Sequence, residues 1–524
     1  MNAPVATPPT DDDELPRPVL IATMAGVITA MLMGALDQTI VGTAMPRVIA
    51  DLNGFEHYAS VTTIYMLSST VVVPIVGKLS DIYGRKPFLL IGVAIFVIAS
   101  VACGAATTMT QLVAFRGLQG IGGGFSQAMA FITVADLFPP ARRGKVSGMM
   151  GAIFGLSSVI GPAVGGFLTD GPGWRWCFWA NIPIGVAAFA VLFFTFPKRK
   201  RSTETPSIDY AGALTLIAAT VPLLLALSWG GNDYAWGSPV IVGMLGFGVA
   251  MSVLFFFVER RAKAAIIPPA LFKNRVVAAS AVGATLLGIA MFGTIMFIPL
   301  FIQAVVGESA TKSGTVMTPM MFAMIAASIA SGQIMTRLRR YKVLAVVGVV
   351  IVTLGMFLLS TMTVATTYTT VLAYMIVLGI GLGATMPVFN LAVQNAVDIR
   401  DVGVATSSLQ FLRSMGGSIG AAGFGAVITN RFSGAFRAAL PPDVLQATPP
   451  EVLARFDNPQ VLMNPAATAS LAGSPLLDAV KVALASSLHT VFLGATVLAA
   501  LAIVASLVLK DLPLRTSNRA APPE

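Results

Sequence analysis

The stretch Gly77-Lys-Leu-Ser-Asp81-Ile-Tyr-Gly-Arg85-Lys86-Pro87 joins two apolar runs, near 58–77 and 87–107. Gly77 removes a side chain where two helices must approach closely. Asp81 is placed to accept from backbone N–H groups at a neighbouring helix end, or to pair with a cation. Arg85 and Lys86 hold one face of a membrane. The ordinary alternative is a simple basic turn. A run of G-x-L-S-D-x-x-G-R-K-P at this point is too improbable by chance for that, and Gly77, Asp81, Arg85 and Lys86 are read as a cytoplasmic gate.

Outward from this loop the chain is dominated by apolar runs. Of its 524 residues 56% are hydrophobic and 11% charged, too little charge to cover a soluble protein of this size. The runs are near or above the roughly 20 residues that span a bilayer. Fourteen can be read, from 19–44 to 484–509. Only helices and closed barrels satisfy backbone groups in lipid, and runs of this length mean helices. The expectation is an all-α polytopic membrane protein with fourteen transmembrane helices.

The net charge of +10 sits in short basic clusters between apolar runs, which marks topology and not nucleic-acid binding. With the N-terminus in the cytoplasm, most of the 33 Lys and Arg fall on that side, including Lys198 to Arg201 and Arg337 to Lys342. Only Arg47, Arg175, Lys312, Arg431, Arg437, Arg455 and Lys481 fall outside, and Arg116 and Arg413 lie within spans. Both termini are thus expected in the cytoplasm. The acidic stretch Asp11 to Glu14 is wrong for a cleaved signal peptide, so the first span is read as retained. Cys103 and Cys177 imply neither a disulfide framework nor a metal site.

The interior repeats. Gly332-Gln-Ile-Met-Thr-Arg337-Leu-Arg-Arg340 has the same step from Gly to Arg as Gly77 to Arg85, and Gly383 to Gly403 matches Gly124 to Gly144. Parallel repeats of this kind build many secondary transporters. The chain divides into a tail at 1–18, a six-helix bundle at 19–200, two inserted helices at 201–262, a second six-helix bundle at 263–510 and a tail at 511–524. Segment 431–482, rich in Pro, reads as a partly helical periplasmic cap. A docking surface for an accessory envelope protein, or a lipid-facing element, is the alternative there.

The 77–87 loop resembles the signature loop of the major facilitator superfamily, and fourteen spans point to its drug:proton antiporter branch. Leu36-Asp37-Gln-Thr39-Ile-Val41-Gly-Thr-Ala44-Met-Pro46 looks like that branch's first-span motif. Arg116-Gly117-Leu-Gln119-Gly120-Ile-Gly122-Gly-Gly124 looks like its fourth-span motif. Gly155-Leu-Ser-Ser-Val-Ile-Gly161-Pro162-Ala-Val-Gly165-Gly166 looks like the fifth-span motif that the family associates with export. Trp174-Arg175-Trp176 followed by Asn181-Ile-Pro183 fits the start of the sixth span, and Arg413-Ser-Met-Gly416-Gly417 resembles the thirteenth. The resemblance implies the major facilitator fold and export of hydrophobic or amphiphilic compounds against protons. It also implies a bacterial inner-membrane location, with no cofactor and no enzyme activity.

Asp37 is the one acid well inside a span. An intramembrane carboxylate is costly and marks an ion pathway by default; a structural ion pair, or a hydrated position near the outer interface, are the alternatives. Low dielectric favours the neutral acid and an adjacent arginine the carboxylate, so alternation between the two binds and releases protons. Arg116 and Arg413 stay charged and each needs a counter-charge or a ring of carbonyls. One of them is expected to meet Asp37. The family favours Arg116, whereas the residues alone do not choose. Asp136 is expected to pair with Arg85 and latch the cytoplasmic face; a solvated helix-end aspartate is the alternative.

The glycines and Pro162 of the fifth span suit tight packing or a hinge. Gln119, Gln127, Asn390, Gln394 and Gln410 are the polar candidates for a substrate cavity. Met31, Met33, Met66, Met129 and Phe125 are candidates for an adaptable lining. With no acid well inside spans nine to fourteen, multivalent cations find little charge to meet, and neutral, monocationic or amphiphilic ligands fit better. No G-x-x-x-x-G-K-[ST] loop is present, which disfavours an ATP-driven pump. The partners expected are a proton, a small amphiphilic substrate and membrane lipid, with no nucleic acid. A specific exporter of an endogenous lipid, siderophore or metabolite, and a non-transporting scaffold or sensor, are the alternatives.

Overall fold

The computed structural model describes residues 16–512 apart from 53–57, 139, 198–207, 232, 309–311, 313–314, 339 and most of 450–473. The basic run Lys198 to Arg201 therefore lies outside the described residues. The long helices are α1 (Arg17–Leu52), α2 (Tyr58–Tyr83), α3 (Arg85–Gly104), α4 (Met109–Leu137), α5 (Pro140–Asp170), α6 (Asn181–Thr195) and α7 (Tyr210–Trp229). There follow α8 (Pro239–Arg261), α9 (Arg275–Phe301), α10 (Met317–Leu338), α11 (Lys342–Ser360), α12 (Tyr368–Ala396), α13 (Val402–Ala439) and α14 (Pro475–Val508). Thr108, Asp209, Ser238, Asn274, Thr367 and Ser474 start helices by accepting a backbone N–H two or three residues on, satisfying donors that lipid cannot.

Among the described residues 12 helices are long and apolar enough to cross a membrane by length and composition. That count leaves out α4 and α5 and so does not confirm the expected fourteen. The reason is visible in α4, which carries Arg116, Gln119, Gln127 and Asp136 along with its glycines. It sits between α2 and α3 and against α1, so protein faces it where lipid would demand apolar side chains.

Two hydrophobic cores on one side, centred on Val27, Phe96 and Met129 and on Met45, Leu112 and Phe178, are built by α1–α6. A single core running from Val276 to Leu509 is built by α9–α14, with Ala135 at its margin. The two groups meet along α2–α13 and α5–α10. Helices α7 and α8 pack on each other, and α7 leans on α2 and α13. There Leu216 packs in one apolar cluster with Ile75 and Phe411, and Thr63 and Ser228 share a 2.9 Å hydrogen bond.

The packing of the two groups rhymes at the glycines. A side chain at Gly120 would strike the backbone of Tyr65, and one at Gly124 that of Ser69, both on α2. At Gly379 and Gly383 of α12 it would strike Met320 and Met324 on α10, again four residues apart. Gly122 and Gly381 make the same kind of approach to Phe96 on α3 and Val352 on α11. Small residues at this spacing let backbones touch, which is how helices associate where lipid gives no hydrophobic drive.

The region read as a cap from 431 begins later. Helix α13 continues to Ala439, with Phe432 and Phe436 buried and their rings stacked 6.4 Å apart. A short helix follows at Pro442–Ala447, and α14 starts at Pro475. Apolar packing beyond the bilayer thickness, invisible to a hydropathy count, extends both helices.

Candidate functional site

Asp37 is fully buried on α1, where one carboxylate oxygen accepts from Arg116 Nη1 at 2.5 Å. Its other oxygen accepts from Gln119 Nε2 and Asn181 Nδ2, each at 2.9 Å. Arg116 also donates to Gln119 Oε1 at 2.7 Å and lies over the Tyr65 ring, 4.3 Å from its centroid. Gln119 Nε2 in turn donates to Ser100 Oγ at 2.8 Å. Five helices, α1, α2, α3, α4 and α6, thus converge on one ion pair. Such a pair is stable in the interior only if further hydrogen bonds support it; here both carboxylate oxygens accept, Arg116 Nη1 serves Asp37 and Gln119, and its Nε points to the Val61 carbonyl at 3.5 Å. Asn181 and Tyr65 were missed as site residues. Asn181 carried a signal as the polar residue opening the sixth span, whereas Tyr65 had none.

The position of α1 follows from α5. A side chain at Gly161 would overlap Thr39, and one at Gly165 would overlap Thr43, so α5 lies directly against the helix that carries Asp37. Thr39 Oγ1 also donates to the Ser157 carbonyl at 3.1 Å. Gly155 faces the other group of helices instead, close to Met321 and Ile325 of α10. Gly166 has open space around it, and Pro162 is exposed within α5.

At the basic end of the bundle, Arg85 donates through Nε to Asp136 at 2.9 Å and through Nη1 to Ser80 Oγ at 2.7 Å, and it pairs with Asp81. Arg85 and Asp136 belong to the same group of helices, so their pair does not by itself bridge the two. The crossing bond is made by Asp81, which accepts from the Val404 N–H at 3.0 Å at the start of α13. The partial positive charge of a helix start favours a carboxylate there. Gly403 is required beneath it, because a Cβ would run into the Asp81 carboxylate. Gly77 lies against Ser407 in the same seam, and Gly84 adopts φ 93°, a conformation open to glycine that separates α2 from α3. Lys86 turns the other way and donates to the Phe193 and Phe196 carbonyls at 2.6 and 3.0 Å, capping the end of α6.

Gly77→Val is expected to wedge α2 from α13 and hold the basic face open. A thiol at Ser408→Cys, buried in the closed seam, should then react with a membrane-impermeant maleimide. Cys103 and Cys177 are buried and add little background. Unchanged reactivity would rule out this seam as the closure.

Arg413 does not meet Asp37. It is partly buried and donates to Met386 Sδ at 3.0 Å and to Gln410 Oε1. A small cavity beside it is bounded by Leu287, Thr385, Phe389 and Asn390. Asn390 bonds back to the Met386 carbonyl at 3.2 Å, and Gln394 donates to Thr406 Oγ1 at 3.4 Å, deeper in the seam between α12 and α13. A second small cavity near Tyr65 is lined by Met31, Gln38, Ser126 and Gln127. Each holds about 20 Å³ for water centres, room for one or two waters and not for a drug-sized ligand. Of the apolar lining candidates, Met33 and Met129 are core residues and Phe125 stacks on Phe88 at 6.1 Å. Met66 is exposed.

Solved structures share this architecture. The human organic anion transporter MFSD10 superposes with a TM-score of 0.60 at 14% identity, covering 92% of this chain and 99% of its own. The proton:xylose symporter XylE gives 0.61 at 12% identity, covering 96% and 98%. In sequence, the multidrug transporter protein MdtP of Bacillus subtilis (strain 168) is 41% identical over 95% of this chain and 94% of its own length. Multidrug resistance protein 3 of the same organism is 39% identical over 94% and 95%. The family model described as Major Facilitator Superfamily matches residues 27–421, which contain the Asp37 network, the 77–87 loop and Arg413. A helical bundle with this seam, this loop and these relatives is a multi-pass membrane transporter, and the chain belongs to the major facilitator superfamily.

Proposed function

We propose that this transporter is an antiporter that exchanges protons for hydrophobic or amphiphilic compounds, moving them out of the cytoplasm by alternating access. The observation that carries the reading is the fully buried ion pair of Asp37 and Arg116. Two relatives whose names state multidrug transport or resistance, at 41% and 39% identity, support the substrate class. Protonation of Asp37 would remove the charge that holds Arg116 and so favour the arrangement in which Arg116 finds another partner. A ligand or proton shifts an equilibrium only through such differential interaction. The seam held by Asp81 and Val404 corresponds to closure of the basic face, and we place that face in the cytoplasm on the distribution of Lys and Arg. All fourteen long helices are taken to span the membrane, α4 and α5 shielded by their neighbours.

The test is the purified chain in liposomes with an imposed pH gradient and a pH-reporting dye inside. Addition of lipophilic compounds from a broad panel should accelerate dissipation of the gradient for some of them. If compounds bind the chain but none moves protons, antiport is wrong.

A further inference from the structure

We infer that Arg413, with Gln410 and Asn390, forms an anion-binding subsite for the negatively charged group of an amphiphile bearing a single carboxylate or similar anion. The inference deepens the exporter reading by naming a substrate class, and rests on it for the claim that the bound amphiphile is cargo.

The argument begins with the contrast between the two intramembrane arginines. Arg116 has a carboxylate, an amide and an aromatic face. Arg413 has a thioether sulfur and a glutamine oxygen, and among the described residues no carboxylate lies near enough to pair with it. A guanidinium presents five N–H donors and does not lose its charge. A sulfur atom is a weak acceptor, and one amide dipole is not a counter-charge. Leaving such a cation in a low-dielectric interior is costly, so retained intramembrane charges mark pathways for ions or substrates.

The surroundings fit a ligand in place of an internal partner. Arg413 is not sealed in; it borders a cavity between α9, α12 and α13. The wall is polar at Asn390, Gln410 and Thr385 and apolar at Leu287, Phe389 and Leu409, which matches an anionic head on an apolar body. Arg413 is eleven residues into α13, about 16 Å from its start at a 1.5 Å rise, close to the middle of a roughly 30 Å hydrocarbon layer. At that depth a headgroup in its own leaflet does not reach it, and a molecule in transit does. The cavity has room only for water in this arrangement, so the ligand enters when α9, α12 and α13 rearrange around it. A cation at this place also repels monocationic amphiphiles, so it divides a substrate range that the scarcity of acids in α9–α14 leaves open.

The test uses the full chain in phosphatidylcholine nanodiscs without a pH gradient, so that binding is read independently of proton coupling. The probes are 1-pyrenebutyrate and the neutral 1-pyrenebutanol, each corrected for binding to empty discs. Wild type is expected to prefer the carboxylate by roughly tenfold or more, the scale of a charge-assisted hydrogen bond. Arg413→Gln should lose that preference while the alcohol binds as before, and Arg413→Lys should keep part of it. Gln410→Glu serves as a second variant, since it supplies an internal counter-charge. It should raise thermal stability and remove the carboxylate preference together, where a purely structural arginine would show only the first. Equal affinity of wild type for both probes, persistence of the preference in Arg413→Gln, or equal loss of both probes would overturn the subsite. Added phosphatidylglycerol that displaces the carboxylate probe would support a lipid headgroup as the anion's source; no displacement would support a small amphiphile. Charge-selective binding without proton flux would refute the antiport reading and leave the subsite standing.

Discussion

Asp37→Asn is expected to reduce substrate-driven proton flux in liposomes to the background of empty vesicles, while compounds still bind. Asparagine has the shape of the protonated acid and can still accept from Asn181 or Gln119, so the bundle is kept. What is lost is the ability to alternate between a charge that holds Arg116 and a neutral group that releases it. The variant should rest in the arrangement that protonation favours. Its accessibility at the Asp81–Val404 seam should therefore no longer respond to pH, measured with the Ser408→Cys thiol on either side of neutrality. Undiminished flux through Asp37→Asn would end the coupling mechanism and leave the fold untouched.

Arg116→Met should be the most destabilising single change at the site. It fits the space beside Tyr65 and Phe178 but leaves the Asp37 carboxylate fully buried without its cation. Breaking a buried pair from one side costs about 3–5 kcal/mol, because a desolvated charge remains uncompensated. Arg116→Met combined with Asp37→Asn should recover most of that loss, since neither charge then remains. The measurement is denaturation of the purified chain followed by helical circular dichroism, for both single variants and the double. If the double variant is less stable by the sum of the two singles, the residues act independently and the pair is not the unit described here.

Much of this chain was legible in its residues. The long apolar runs required membrane helices, because no other open structure satisfies its backbone in lipid. The Gly77 to Pro87 loop reads as a gate, and its Asp81 makes the crossing bond to Val404; of the repeated glycines, Gly124 and Gly383 approach Ser69 and Met324 in the same way. Hydropathy was less informative about α4, because a helix surrounded by protein is released from the requirement to be apolar. Nor did it show how far α13 and α14 run past the bilayer, since Phe432 and Phe436 extend a helix by packing on protein.

The sequence by itself determined that one acid and two arginines lie within spans, and that each charge needed company. Which arginine takes which partner was decided only by the tertiary structure. Spacing along a chain does not set the rotation of one helix about another; the close contacts at Gly120, Gly161 and Gly165 do. They turn Asp37 and Arg116 inward to the same point, with Asn181 from α6 completing the set. Arg413 is held in the other group by Gly288, whose missing side chain lets α9 lie against its carbonyl. Its counter-charge, on the reading proposed here, arrives with the cargo.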